Sequence, residues 1–307
     1  MRAAKYAAKQ PKLMGGFEVG NFRHYFKQWL LCHKRPPIRR SFLAMTAFFI
    51  IGATAPIVSA EPWVFLPVKP LFQPLIGDPR EPQTNVIAHT NQAQFEGAIG
   101  TTLELLRHSP SDKTQWGWGV LGSGFIQLGV EGVAFPLRVN DWYAGMYLNE
   151  SSGLFSHRLE FVHQSSHLGD SYEGSQEPMI YNGENFNFTT SFQPSENLRV
   201  YAGIGAWENL YPNDNSFFSS LGTEIYSPPL DFIGTILRGY GTFHLKWKAQ
   251  ASGALNKTAQ LGLQWKFKKE ESRALRLALV YYNGLSEFGQ FYQTPDEHWA
   301  IGIYFDP

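Results

Sequence analysis

The sequence predicts an all-β fold: a closed antiparallel transmembrane β-barrel of about 12 strands, with 10 and 14 as the neighbouring even counts. Three observations point there. Apolar residues recur at every second position through most of the chain after residue 60. The face opposite them carries Lys, Arg, Gln, His and Gly, so each segment is apolar on one side and polar on the other. No apolar run after residue 60 approaches the ~18 residues of a membrane helix.

The N-terminal stretch is set apart by charge. Residues 1–60 hold ten Lys/Arg against one acid, Glu18, whereas residues 61–307 hold 16 Lys/Arg against 25 Asp/Glu. A basic leader before an acidic body is the asymmetry of a targeted precursor. Arg35–Arg40 supplies a cationic segment, Ser41–Ala60 an apolar one broken by Pro56, and Val58-Ser59-Ala60 a small-residue cleavage site. The apolar stretch before Pro56 is too short to span a bilayer, which needs about 20 residues. Residues 1–60 therefore read as a signal peptide with an extended basic region, cleaved near Ala60. The single cysteine, Cys32, lies in that leader, which removes disulfides, thiolate metal sites and cysteine catalysis from the exported part. The acidic body argues against a nucleic-acid partner.

Residues 61–84 follow with six prolines before residue 84. Proline donates nothing to a ladder, so this segment reads as an extended periplasmic arm or plug. Residues 85–305 read as the barrel. Its strands are expected near 85–92, 96–107, 115–129, 141–149, 154–165, 184–191, 198–209, 217–226, 238–250, 256–268, 273–283 and 297–305. In 198–209, for example, Leu198, Val200, Ala202 and Ile204 alternate with Arg199, Tyr201 and Gly203. In 256–268, Ala259, Leu261, Leu263, Trp265 and Phe267 alternate with Gln260, Gly262, Gln264, Lys266 and Lys268. A soluble barrel would place the apolar face inside. Here the second face is too polar to be a surface of convenience, and lipid outside with a watery lumen accounts for both. Closure is required, because unpaired edge amides cost several kcal/mol each in hydrocarbon.

Two stretches carry a family resemblance. Leu75–Gln83, "LIGDPREPQ", and Val162–Tyr172, "VHQSSHLGDSY", resemble the signature blocks of a bacterial family of unknown function assigned to the outer-membrane β-barrels. The final segment, "HWAIGIYFDP", is similar to the C-terminal signal of such barrels, with Asp306-Pro307 added after the aromatic Phe305. The resemblance implies the bacterial outer membrane as location, outer-membrane lipids and lipopolysaccharide as surroundings, and the barrel-assembly machinery as a partner during insertion. It implies no activity.

Two sets of residues are candidates for function. Glu104, Arg158, Glu160, Arg199 and Glu224 fall on the lumen face and are expected to pair across the interior, as a stabilising network or as the lining of a narrow pore. The second set is outward. His163-Gln164-Ser165 is similar to the His-x-Ser motif of the lipid A 3-O-deacylases, another outer-membrane barrel family. His163 and Ser165 share parity with Phe161, so both face lipid, and Glu184 at the start of the next strand faces the same way. A serine nucleophile needs a base and an acid that orients it. Ser165, His163 and Glu184 are the residues for those roles, with Ser166 as an oxyanion donor. The plainer reading is a polar strand end in which Asp170 caps a turn. A metal reading of His163, His167 and Asp170 needs a helix where the pattern gives strand, so the sequence calls for no metal and no cofactor. The leading functional expectation is a structural or small-solute-conducting barrel; the alternative is an outer-leaflet lipid ester hydrolase.

Overall fold

The computed structural model describes residues 63–307 except 112, 171, 173, 176, 213–215, 268–269 and 307. The expected signal peptide lies outside the described residues. The chain is a ring of strands. A short β1 (Val64–Phe65) precedes β2 (Thr84–His89), β3 (Gln94–Ser111), β4 (Thr114–Gly129), β5 (Leu137–Ser152), β6 (Phe155–Leu168) and β7 (Tyr181–Ser195). Then come β8 (Leu198–Tyr211), β9 (Ser216–Tyr226), a short β10 (Leu230–Phe232), β11 (Thr235–Lys248), β12 (Ala254–Phe267), β13 (Glu270–Leu285) and β14 (Pro295–Asp306). Each wall strand pairs antiparallel with its neighbours, and β14 returns to β2, which pairs in turn with β3. With β1 and β10 set aside, twelve strands close the wall. Among the described residues no helix is long and apolar enough to cross a membrane.

The twelve expected strands are all present, including the two with the least regular alternation, β2 and β9. Nine of them run two to four residues further than the apolar pattern indicates at one end at least, where ladder pairing continues beyond the lipid-facing belt, whereas β2 stops at His89, short of the expected 92. β1 and β10 are additions: Val64 and Phe65 pair with Arg107 and Leu106, so the proline-rich segment contributes two residues to the sheet after all. They do so between prolines, where both N–H groups remain free to pair.

The alternation sorts the side chains as expected. On the outside, Ile99 is 81% exposed, Leu261 69% and Ile204 67%, and Ile301, Ile303 and Leu221 are exposed around the same belt. A soluble protein does not leave so continuous an apolar surface in water; hydrocarbon is its solvent. On the inside, Arg199, Glu224, His244, Asn256, Thr258, Gln260 and Arg276 are buried.

A ring of this size leaves more interior than its own side chains fill, since eight strands are about the number that close on side chains alone. Here the chain supplies the filling. Residues 71–83 run through the lumen, where Phe72, Leu75 and Ile76 are buried. From the opposite rim the 286–294 connection folds inward and buries Phe288, Gln290 and Phe291. The interior is therefore not uniformly polar: Phe72 and Leu75 pack on Tyr201, and Phe288 and Phe291 pack with Phe125 and Val139.

Candidate functional site: a lumen closed by the arm

The arm is held by charges on opposite walls. Glu104 on β3 accepts the Leu71 N–H at 2.9 Å, and Glu224 on β9 accepts the Ile76 N–H at 3.0 Å. Arg199 on β8 donates to the Gln73 carbonyl at 2.8 Å and the Pro74 carbonyl at 3.0 Å, while lying 3.5 Å from Glu224. These contacts satisfy the backbone polar groups that a proline-broken, non-ladder segment leaves open. Phe72 lies between two guanidiniums, with Arg158 at 4.6 Å and Arg199 at 4.9 Å from its ring centre. Such cation–π contacts strengthen when desolvated.

The Asp-Pro-Arg-Glu-Pro block turns the arm and supplies its strongest anchors. Asp78 bonds the Arg80 N–H through its side chain at 2.9 Å, an Asx turn that Pro79 favours. Glu81 then takes both terminal nitrogens of Arg158, at 2.7 and 2.8 Å. Arg158 also lies 3.0 Å from Glu160, and all three side chains are buried. Arg80 approaches Asp141 on β5 at 3.6 Å and stacks between Phe125 and Phe288. Gln83 accepts from Arg276, whose guanidinium is otherwise forked onto Asp306 at 2.8 Å twice.

Asp141 joins the arm to the loop of the opposite rim. Its Oδ2 accepts the Gly289 N–H at 3.1 Å and Gln164 Nε2 at 3.3 Å. Beside it, Ser166 accepts the Gln290 N–H at 3.0 Å, and Gln290 Nε2 returns to the Ser166 carbonyl at 2.8 Å. In the same loop, burial alone would raise the Glu287 carboxyl, but Lys248, Lys246 and Arg80 hold it below the usual carboxylate range. Burial likewise opposes ionisation of Asp78, yet His244 and Lys246 keep its carboxyl below the ordinary value. A cavity of about 80 Å³ remains between arm and wall, bordered by Arg80, Glu81, Arg158, Lys246 and Glu287. That space holds a few waters, not a passage.

All five lumen residues singled out from the sequence are buried, and four of them touch the arm directly. Glu160 is the exception, acting through Arg158 and Asn187. Pattern reading missed the other charges of the lumen: Arg80 and Glu81 sit in a segment with no period, and Asp141, Arg276 and Glu287 are single charges in strand and loop. The Asp-Pro-Arg-Glu-Pro run was the available signal.

The outward candidates divide. His163 Nδ1 lies 3.2 Å from Glu184 Oε1, the two residues being register partners across β6 and β7. Glu184 is in turn opposite Glu208 on β8, so two carboxylates flank this height. Ser165 shares the face and pairs with Trp142 and Asn182, but among the described residues no hydrogen bond joins it to His163. Ser166 points the other way. Strand alternation turns its hydroxyl into the lumen, where it holds Gln290, so the expectation that it serves Ser165 as an oxyanion donor is corrected.

Comparison with known proteins follows the fold. No curated protein matches the chain. Among solved structures it is similar to the KdgM porin at 9% identity and TM-score 0.41, over 73% of this chain and 99% of that one. It is similar to the β domain of the Bordetella autotransporter BrkA at 12% identity and TM-score 0.46, over 74% and 98%. LpxR from Salmonella typhimurium gives 10% identity and TM-score 0.40, over 72% and 98%. The family match is far broader, covering residues 27–306. On that span the chain belongs to the protein family of unknown function DUF1207.

Proposed function

We propose that the chain is an exported bacterial outer-membrane barrel, cleaved near Ala60, whose lumen is shut by its own N-terminal arm entering from the periplasmic side. Shut, it is a structural element of the membrane; it conducts small solutes only when the arm leaves. The observation that carries this reading is the Glu81–Arg158 pair, forked at 2.7 and 2.8 Å and buried inside the wall. Even strand number places both ends of the wall on one side, and the long 169–180 and 286–294 connections lie at the other, as in barrels inserted from the periplasm. The full chain in a planar bilayer is expected to be electrically silent at neutral pH. Steady conductance from correctly folded full chain contradicts the closed lumen.

A second reading is supported by the outward pair. With Nδ1 on Glu184, His163 leaves Nε2 for a serine, the polarity a hydrolytic triad requires. Ser165 is two residues on, and Asn182 stands opposite it with an amide that replaces Ser166 as donor. The substrate class is an acyl ester of an outer-leaflet lipid, lipid A included. Mass spectra of lipid A from cells producing the chain are expected to show loss of an acyl group that Ser165→Ala restores. Spectra equal to the empty-vector control in both cases remove the hydrolase.

A further inference from the structure

The wall has one weak seam. β2 is its shortest strand, pairing with β3 over Asn85–Ala88 and with β14 over Thr84–His89. At the rim end of that seam three inward side chains converge: His89 from β2, Glu96 from β3 and His298 from β14. One nitrogen or oxygen of each lies within 4.8 Å of the others. The His89 side chain is 0% exposed, yet its Nδ1 has no hydrogen-bond partner. Its Nε2 stands 3.3 Å from Glu96 Oε1. A buried imidazole whose Nδ1 has no partner, and whose Nε2 meets only a carboxylate, is a group built for a partner the protein does not itself supply.

The surroundings fit a cation. His298 Nδ1 lies 2.8 Å from Asp296 Oδ1, the carboxylate–histidine arrangement that fixes a tautomer and frees Nε2 as a ligand. Glu96 is steadied by Gln127 Nε2 at 3.3 Å. The two imidazoles stack with ring centres 3.9 Å apart, so His298 turns out of the stack for both rings to aim a nitrogen at one ion. A cavity of about 50 Å³ adjoins Glu96, Asp296 and His298 and gives room for water ligands.

We propose that His89, Glu96 and His298 form a binding site for one borderline divalent transition ion, with Zn²⁺ the best match, that clamps the first wall strands to the last. Two imidazoles with one carboxylate suit such an ion, whereas Ca²⁺ and Mg²⁺ require oxygen throughout. Metal–ligand bonds of about 2.0–2.2 Å set tetrahedral ligand atoms about 3.4 Å apart. Glu96 and His89 already meet that spacing, and His298 reaches it by a side-chain adjustment. The inference does not depend on the arm or on the lipid-facing residues.

The test uses the full chain in detergent, stripped with a chelator and titrated calorimetrically with Zn²⁺. The wild type is expected to bind one ion in excess of the His89→Ala/His298→Ala double variant and to unfold at a higher temperature when loaded. Each single alanine variant is expected to lose at least tenfold in affinity. Glu96→Gln, which keeps the side-chain shape, is expected to fold normally, checked by heat-modifiable gel migration, and still to bind more weakly. Mg²⁺ leaves all of them unchanged. Zn²⁺ taken up by exposed histidines appears equally in every variant. Equal binding by wild type and double variant, or no binding by either, overturns the site.

Discussion

Removal of residues 63–83 is expected to convert a silent barrel into a conducting one. The wall does not need the arm to form, since the ring closes through strand-to-strand ladders alone. What the arm supplies is occupancy. Without it, Glu104, Arg158, Arg199 and Glu224 lose their partners in the segment, and water enters to hydrate them. Twelve strands then enclose a lumen wider than their own side chains fill. Planar-bilayer recordings of the truncated chain are expected to show discrete steps that the full chain lacks. The inward 286–294 loop narrows the opposite end, so the steps are small and noisy rather than porin-sized. A truncated barrel that is folded and silent contradicts the assignment of closure to the arm.

Arg158→Ala is expected to have the largest effect of any single substitution. The change strands Glu81 and Glu160, both buried, without their shared cation. Breaking a buried pair by deleting one member costs about 3–5 kcal/mol, chiefly because the remaining charge is uncompensated. The least costly relief is to lift the arm and let water in. Two readouts follow: a lower urea midpoint in detergent, and intermittent openings in the bilayer that resemble those of the truncated chain. Arg158→Lys retains the charge without the planar fork, so it falls between wild type and alanine. Unchanged stability together with a silent bilayer for Arg158→Ala contradicts a structural role for the pair.

The strand ring was legible because its cause is periodic. Lipid on one side and water or plug on the other write a period of two into every strand, as Leu261 against Gln260 and Val200 against Arg199 show. The identity of the lumen residues followed from the same parity. Their partners did not. Arg80, Glu81 and Gln83 sit in a proline-broken segment whose conformation is set by hydrogen bonds to walls far away in sequence, so nothing local announces it. The seam histidines illustrate the same limit, because His89 and His298 are brought together only by barrel closure. Parity also separates the two serines, one facing lipid and the other the lumen, and it is why Ser166 cannot assist Ser165. Whether Ser165 engages His163 depends on side-chain rotation, which strand parity leaves free.

A thiol-accessibility scan along β12 bears most directly on the plugged-barrel structure. Single cysteines are placed at residues 255–264 of a Cys32-free chain reconstituted in lipid, and each is probed with a bilayer-soluble quencher and with a water-soluble thiol reagent. Positions 255, 261 and 263, exposed on the outer wall, should meet the quencher. Positions 256, 258, 260 and 264, buried on the inner face, should meet neither probe. Rapid reaction of the inner positions with the aqueous reagent would show an open lumen, and loss of the two-residue alternation would show that the wall does not face lipid at all.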